Sequence, residues 1–281
     1  MTAPGPIRLV PLMLFTLAAG QPARSQQAPA PTRFRYAAAQ LDCATFVEHS
    51  RARLEAETGA RRRRETLLRD GVLRVRARPA GAAIAIEAWY DSLALSRESP
   101  ETTLVPDTDG LLGGRFRGTL SPSGRYAVAA RPFVPDEVAE VADVGGTLDD
   151  LLPPLPPAPL AVGQRWTDAA GLELRRLPDS TADGRAVHRL ALRSRSRSTR
   201  PSVRGDTTAL AATEVTVENG EVDWDAERGL LRRRRHLVID TAVPAGGPLK
   251  LPLRSRLEQE MELVRGPRAC DAPAGEPTES P

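Results

Sequence analysis

The sequence predicts a mainly β protein. Its antiparallel strands would form either one curved, half-barrel-like sheet or two β lobes, with one short helical segment near 134–152. Three observations predict it. In residues 253–263, Leu253, Ser255, Leu257, Gln259, Met261 and Leu263 alternate with Arg254, Arg256, Glu258, Glu260 and Glu262. A period of two with one fully charged face is a strand that covers a core on one side only. Residues 72–78 and 84–90 alternate in the same way around Ala80-Gly81, which reads as a hairpin. Finally, Pro153, Pro154, Pro156, Pro157 and Pro159 crowd one short stretch. Each fixes φ and lacks an N–H, so 151–166 is neither helix nor central strand. It reads as a strap between two β-rich halves, 41–150 and 167–270, that together with the 134–152 helical piece crosses or caps the concave side.

The remaining elements follow in chain order. Arg8 precedes an apolar run, Leu9 to Ala19, that contains Pro11 and ends in small residues. It is shorter than the roughly 20 residues a membrane helix needs, so residues 1–25 read as a secretory signal peptide with cleavage before Gln26. The protein is therefore expected to be exported, to the periplasm or beyond, with no transmembrane segment once the signal is removed. Residues 26–40 read as a disordered linker. Phe46, Ser50 and Leu54 suit either a helix face or a strand face; continuity with the hairpin favours a strand over 44–57, turning at Thr58-Gly59. Residues 116–120 and 126–130 flank Ser121-Pro122-Ser123-Gly124, a turn with Pro in its second position. Pro135-Asp136-Glu137 opens a helical pattern, since proline and acids both suit a first turn. Thr147 to Leu151 suggests a second short helix. In the C-terminal half, Asp183-Gly184 precedes a strand through Leu192. Asn219-Gly220 lies between alternating runs and reads as a hairpin turn. Gly229 opens a strand over 230–243, and 271–281 reads as a disordered tail.

Charge and cysteine usage bound the function. Without residues 1–25, which contribute Arg8 and Arg24, the chain has 37 basic and 36 acidic residues, a net charge of +1. A near-neutral, exported chain with few aromatics does not fit a nucleic-acid binder. The runs Arg61–Arg64, Arg193–Arg197 (alternating with Ser) and Arg232–Arg235 read as solvent-facing strand surface, with anionic head groups as the functional alternative. Cys43 and Cys270 sit near the two ends of the exported chain. In an oxidising compartment they are expected to form a disulfide, which would bring those ends together.

The run Leu155 to Trp166, LPPAPLAVGQRW, resembles a P-x-x-V-x-x-G-x-x-W signature of exported, all-β bacterial proteins of unknown function. Some of these are similar to the half-barrel periplasmic carriers of lipoproteins and lipids. The resemblance spans 150–265 and implies a fold; no catalytic residue comes with it.

Candidate chemistries are weak. Asp107-Thr108-Asp109-Gly110 carries only part of a calcium-loop pattern and reads as a solvated turn. It also lacks the Asp-Thr-Gly spacing of an aspartic protease. No G-x-S-x-G occurs, and His49, His188 and His236 fall in three separate strands without zinc-site spacing. Gly110 to Gly118 lacks the phosphate-binding glycine pattern. Trp89, Trp166 and Trp224 read as core anchors. The expectation is a non-enzymatic envelope protein with no catalytic residue, metal or cofactor. It would hold an apolar ligand or a lipidated partner on a concave sheet face. The alternative is a structural or assembly module that binds another envelope protein through a β edge or an Arg-rich face.

Overall fold

The computed structural model describes residues 30–146, 148, 151–201, 211–246 and 250–270. The expected signal peptide, the start of the linker and the tail lie outside them. Twelve strands form a single sheet: β1 (Ala44–Thr58), β2 (Arg61–Ala80), β3 (Ala83–Glu98), β4 (Thr103–Leu104), β5 (Phe116–Leu120), β6 (Tyr126–Ala130), β7 (Arg165–Thr167), β8 (Glu173–Ala182), β9 (Arg185–Pro201), β10 (Ala211–Asp225), β11 (Gly229–Val243) and β12 (Leu253–Arg265). Among the described residues, the one-turn α-helices α1 (Ala38–Leu41) and α2 (Asp136–Ala139) accompany them.

The order across the sheet is β6-β5-β3-β2-β1-β12-β11-β10-β9-β8-β7, with β4 paired to β3. Each half is an antiparallel meander. The halves join at their oldest and newest strands: β1 pairs β12 from Phe46↔Arg265 to Thr58↔Leu253. This decides between the two expected architectures in favour of one sheet. It is open, because β6 and β7 are its two free edges. The chain between them, residues 131–164, therefore has to pass from one edge of the sheet to the other. The strap does not separate two lobes; it crosses one face of a single sheet.

What the strap covers is the core. Val138, Val141, Val144, Leu148, Leu151, Leu152, Leu155 and Leu160 are buried against Phe46, Leu73, Tyr90, Trp224 and Leu263 of the sheet. Each aliphatic side chain removed from water stabilises the contact by about 1.5–3 kcal/mol, so an irregular segment is fixed by its side chains rather than by a ladder. Phe34 and Tyr36 join the same cluster at 1% and 2% exposure. Their ring centroids lie 6.2 and 5.3 Å from Trp224 in edge-to-face geometry. This corrects the linker assigned to 26–40: Phe34 and Tyr36 are core, Thr32 pairs with Leu160, and Ala38–Leu41 forms α1.

Two further expectations change. Asn219-Gly220 is not a turn. β10 runs through it and pairs β9 and β11 along its length. A Cβ on Gly220 would meet the Arg234 carbonyl oxygen at 2.5 Å, so glycine is needed there for close strand approach. The turn comes later, where Asp225 Oδ1 accepts the N–H groups of Glu227 and Arg228 at 2.8 Å each, and Gly229 takes φ +77°. The run Arg232–Arg235 is not a solvent face either. Arg232 and Arg234 point outward, but Arg233 is 5% exposed and bonds Glu218 at 3.2 Å on the inner face. The Arg193–Arg197 run keeps its expected form, with all three arginines exposed. The second short helix expected at 147–151 falls largely outside the described residues.

Cys43 and Cys270 form the expected disulfide. The Ala269 N–H donates to the Cys43 carbonyl at 3.0 Å, so the chain after β12 is tied to the entry of β1.

Candidate functional site

The strap is anchored at both sheet edges, and a cleft lies between the anchors. At the β6 edge, the Tyr36 N–H donates to the Pro122 carbonyl at 2.9 Å and its hydroxyl donates to the Pro153 carbonyl at 3.0 Å. Burial raises the Tyr36 hydroxyl well above its ordinary range, with only partial relief from Arg233, so it stays protonated and able to donate. The Leu155 N–H donates to the Ser123 carbonyl at 2.8 Å. Gly124 takes φ +87°, and a Cβ there would meet the Pro153 carbonyl oxygen at 2.6 Å. The turn therefore sits against the strap only because position 124 is glycine. Gly124→Ala is expected to destabilise the fold by about 1–3 kcal/mol. Gly81→Asn, at φ +62° in open space, is expected to be close to neutral. Urea midpoints of the two variants check this.

At the β7 edge, Thr32 and Leu160 form an antiparallel bridge. Arg176, 1% exposed, donates to the Leu160 carbonyl at 2.9 Å and reaches Asp179 at 2.8 and 2.9 Å. Burial alone would raise the Asp179 carboxyl. Bonds from Arg176 and His188 outweigh it and hold the group below the usual carboxylate range.

Between these anchors lies a cleft of about 610 Å³. Tyr126, Leu152, Pro154, Leu155, Pro157 and Trp166 form its apolar wall, and Ser123, Arg125, Thr167 and Asp168 its polar part. Its size and lining are those of a small-molecule site, apolar with a few polar groups. Trp89 and Trp224 are each 1% exposed and serve as core anchors, as the sequence suggests. Trp166 is half-buried: it packs against the same core, as expected, and also lines the cleft.

The inner face also carries a polar belt. Arg69 bonds Glu48 at 2.8 Å, and both contact the Tyr90 hydroxyl. Arg233 and Arg235 lie 3.2 and 3.5 Å from Glu218. Sequence reading missed both clusters; glutamates in alternating strands offer no signal of which face they take. On the outer face a groove of about 520 Å³ contains His49, Asp70, Arg234, His236 and Glu262. His49 pairs with Asp70, Arg234 with Glu262, and His236 with Glu258. His188 is elsewhere, beside Asp179, so the three histidines do not share a site. Among the described residues no group of three or more His, Cys, Asp or Glu could hold a metal ion. Asp107 Oδ1 accepts the Asp109 N–H at 2.9 Å, a local turn. No helix among the described residues is long and apolar enough to cross a membrane.

No family model and no curated protein matches the chain. In the resembled run itself, Val162 and Gly163 are adjacent, so the spacing is P-x-x-V-G-x-x-W. The chain is similar to several solved structures, among them the following two. One is a presumed exported protein with a YmcC-like fold from Bacteroides fragilis: 14% identity, 81% of this chain and 98% of that chain covered, TM-score 0.20. The other is a DUF1329 family protein from Desulfovibrio piger: 11% identity, 79% and 85% covered, TM-score 0.15. At these scores neither likeness bears on what this chain does.

Proposed function

We propose that the protein is an exported, non-enzymatic envelope protein that holds an apolar ligand, or the acyl chain of a lipidated partner, in the cleft beside Trp166. The observation that carries this reading is the cleft itself, about 610 Å³ with an apolar wall, set where the strap spans the gap between the two sheet edges. Export is supported by the N-terminal pattern and by the Cys43–Cys270 disulfide, which suits an oxidising compartment. The charged residues that line the cleft are Arg125 and Asp168. Asp168 Oδ1 is engaged by the N–H groups of Ala170 and Leu172 at 2.8 Å, a turn-forming role rather than that of a general base. The sheet edges favour the ligand reading over strand addition. β7 has three residues, and β6 has five with a bulge opposite Arg117/Gly118. Short, bulged edges are how sheets resist a further strand.

Displacement of a fluorescent fatty acid tests the proposal. Binding at micromolar protein is expected, weakened about tenfold or more in Trp166→Ala, since an aromatic contact contributes 0.5–1.5 kcal/mol beyond its buried area. Trp166 emission should shift on binding while that of the buried tryptophans stays constant. No binding at micromolar protein would overturn the proposal.

A further inference from the structure

The two charged residues of the cleft are not equivalent, and their difference points to the class of ligand. Asp168 and Arg125 line the same cleft but form no ion pair with each other. The carboxylate of Asp168 is committed to its own turn, where one oxygen accepts both the Ala170 and Leu172 N–H groups. Arg125 is different. Its backbone N–H donates to Ser121 Oγ at 2.9 Å, and its carbonyl accepts the Ser121 N–H at 2.8 Å, so the backbone of the residue is fixed by the turn. The guanidinium has no ion pair among the described residues, whereas Arg69, Arg232, Arg233 and Arg234 each have one. Arg125 is exposed and lines the same cleft as Tyr126, Leu152, Leu155 and Trp166. An apolar wall beside one uncommitted planar cation matches an apolar chain that ends in an anion. A guanidinium takes carboxylate or phosphate oxygens through two parallel N–H donors, a geometry that a hydroxyl or a cationic end group does not offer.

We propose that the cleft selects anionic single-chain amphiphiles, with the apolar chain along Trp166 and the strap and the anionic end on Arg125. This rests on the cleft reading above and adds the end group. Because Arg125 is exposed, the selectivity is modest, a preference of about two- to fivefold that shrinks as salt is raised.

Competition against one fluorescent fatty acid, with dodecanoate, dodecyl phosphate, dodecanol and dodecyltrimethylammonium, tests it below the micelle concentration of each. The expected result is that both anions bind about two- to fivefold more tightly than dodecanol at low salt and that the cation binds most weakly. In Arg125→Gln the anions should fall to the level of dodecanol, with dodecanol unchanged. Dodecanoate and dodecyl phosphate together tell whether a carboxylate or a phosphate end fits better. Equal binding of all four, with no effect of Arg125→Gln, would overturn the end-group assignment while leaving the cleft intact. A preference for the cation would overturn it as well. Failure of all four to bind, in wild type and variant alike, would instead overturn the cleft reading itself. Arg125→Gln replaces an exposed side chain, so an unchanged urea midpoint shows that any loss of preference is local.

Discussion

Reducing the Cys43–Cys270 disulfide is expected to lower the stability of the protein by up to about 5 kcal/mol. The two cysteines are 227 positions apart, so the bond closes nearly the whole folded chain into one loop. Loop-closure entropy in the unfolded state grows with the logarithm of loop length, and this loop sits near the top of that range. β1 and β12 already pair along thirteen register positions, so in the folded state the bond holds ends that are together anyway. Its effect therefore falls on the unfolded chain. Cys43→Ser/Cys270→Ser should retain the sheet, with a lower denaturant midpoint and a larger m-value, because the open chain exposes more surface on unfolding. Equal midpoints for the oxidised and doubly substituted proteins would show that the bond does not restrain the unfolded chain.

Arg69→Met is expected to cost about 3–5 kcal/mol, the size seen when one partner of a buried ion pair is removed. Glu48 is 5% exposed and receives the Arg69 guanidinium at 2.8 Å, with Tyr90 as a third member. Methionine keeps much of the volume of arginine and removes the charge. The loss then measures the uncompensated Glu48 carboxylate more than missing packing. In Arg69→Met/Glu48→Gln the carboxylate is gone too, and a large part of the stability should return. A double-mutant cycle isolates this coupling, because the two side chains touch directly. Additive losses would mean that the belt is held by packing around it and not by the pair.

How much of this molecule was legible in its sequence depends on whether an element's neighbours lie nearby in the chain. β12 was legible because its two faces meet water and core, and its composition follows. The hairpins at Ala80-Gly81 and at Ser121–Gly124 were legible because each turn and its strands are contiguous. The disulfide was legible from two cysteines and an export signal. Asn219-Gly220 misled because the same dipeptide that makes a tight turn also relieves crowding inside a strand, and here the Arg234 backbone lies where a side chain would go. Phe34 and Tyr36 sit in a Pro/Ala/Gln-rich stretch whose composition resembles a linker. Distant partners such as the Trp224 ring, nearly two hundred residues away, make them core. That the strap crosses the sheet was legible, but its path from the β6 edge to the β7 edge was not, since it follows from β1–β12 pairing between distant segments. The cleft is built by that route. Trp166 could be singled out in advance only as an aromatic beside prolines, not as the half-buried one of three tryptophans.

Native mass spectrometry of the protein purified from the periplasm, followed by organic extraction, tests the ligand-holding cleft most directly. The expected spectrum contains a second species heavier by the mass of one small amphiphile, with that mass recovered in the extract and lost from Trp166→Ala. A single mass equal to the apo chain, for wild type and variant alike, would contradict it and turn attention to the charged outer face as a surface for another envelope protein.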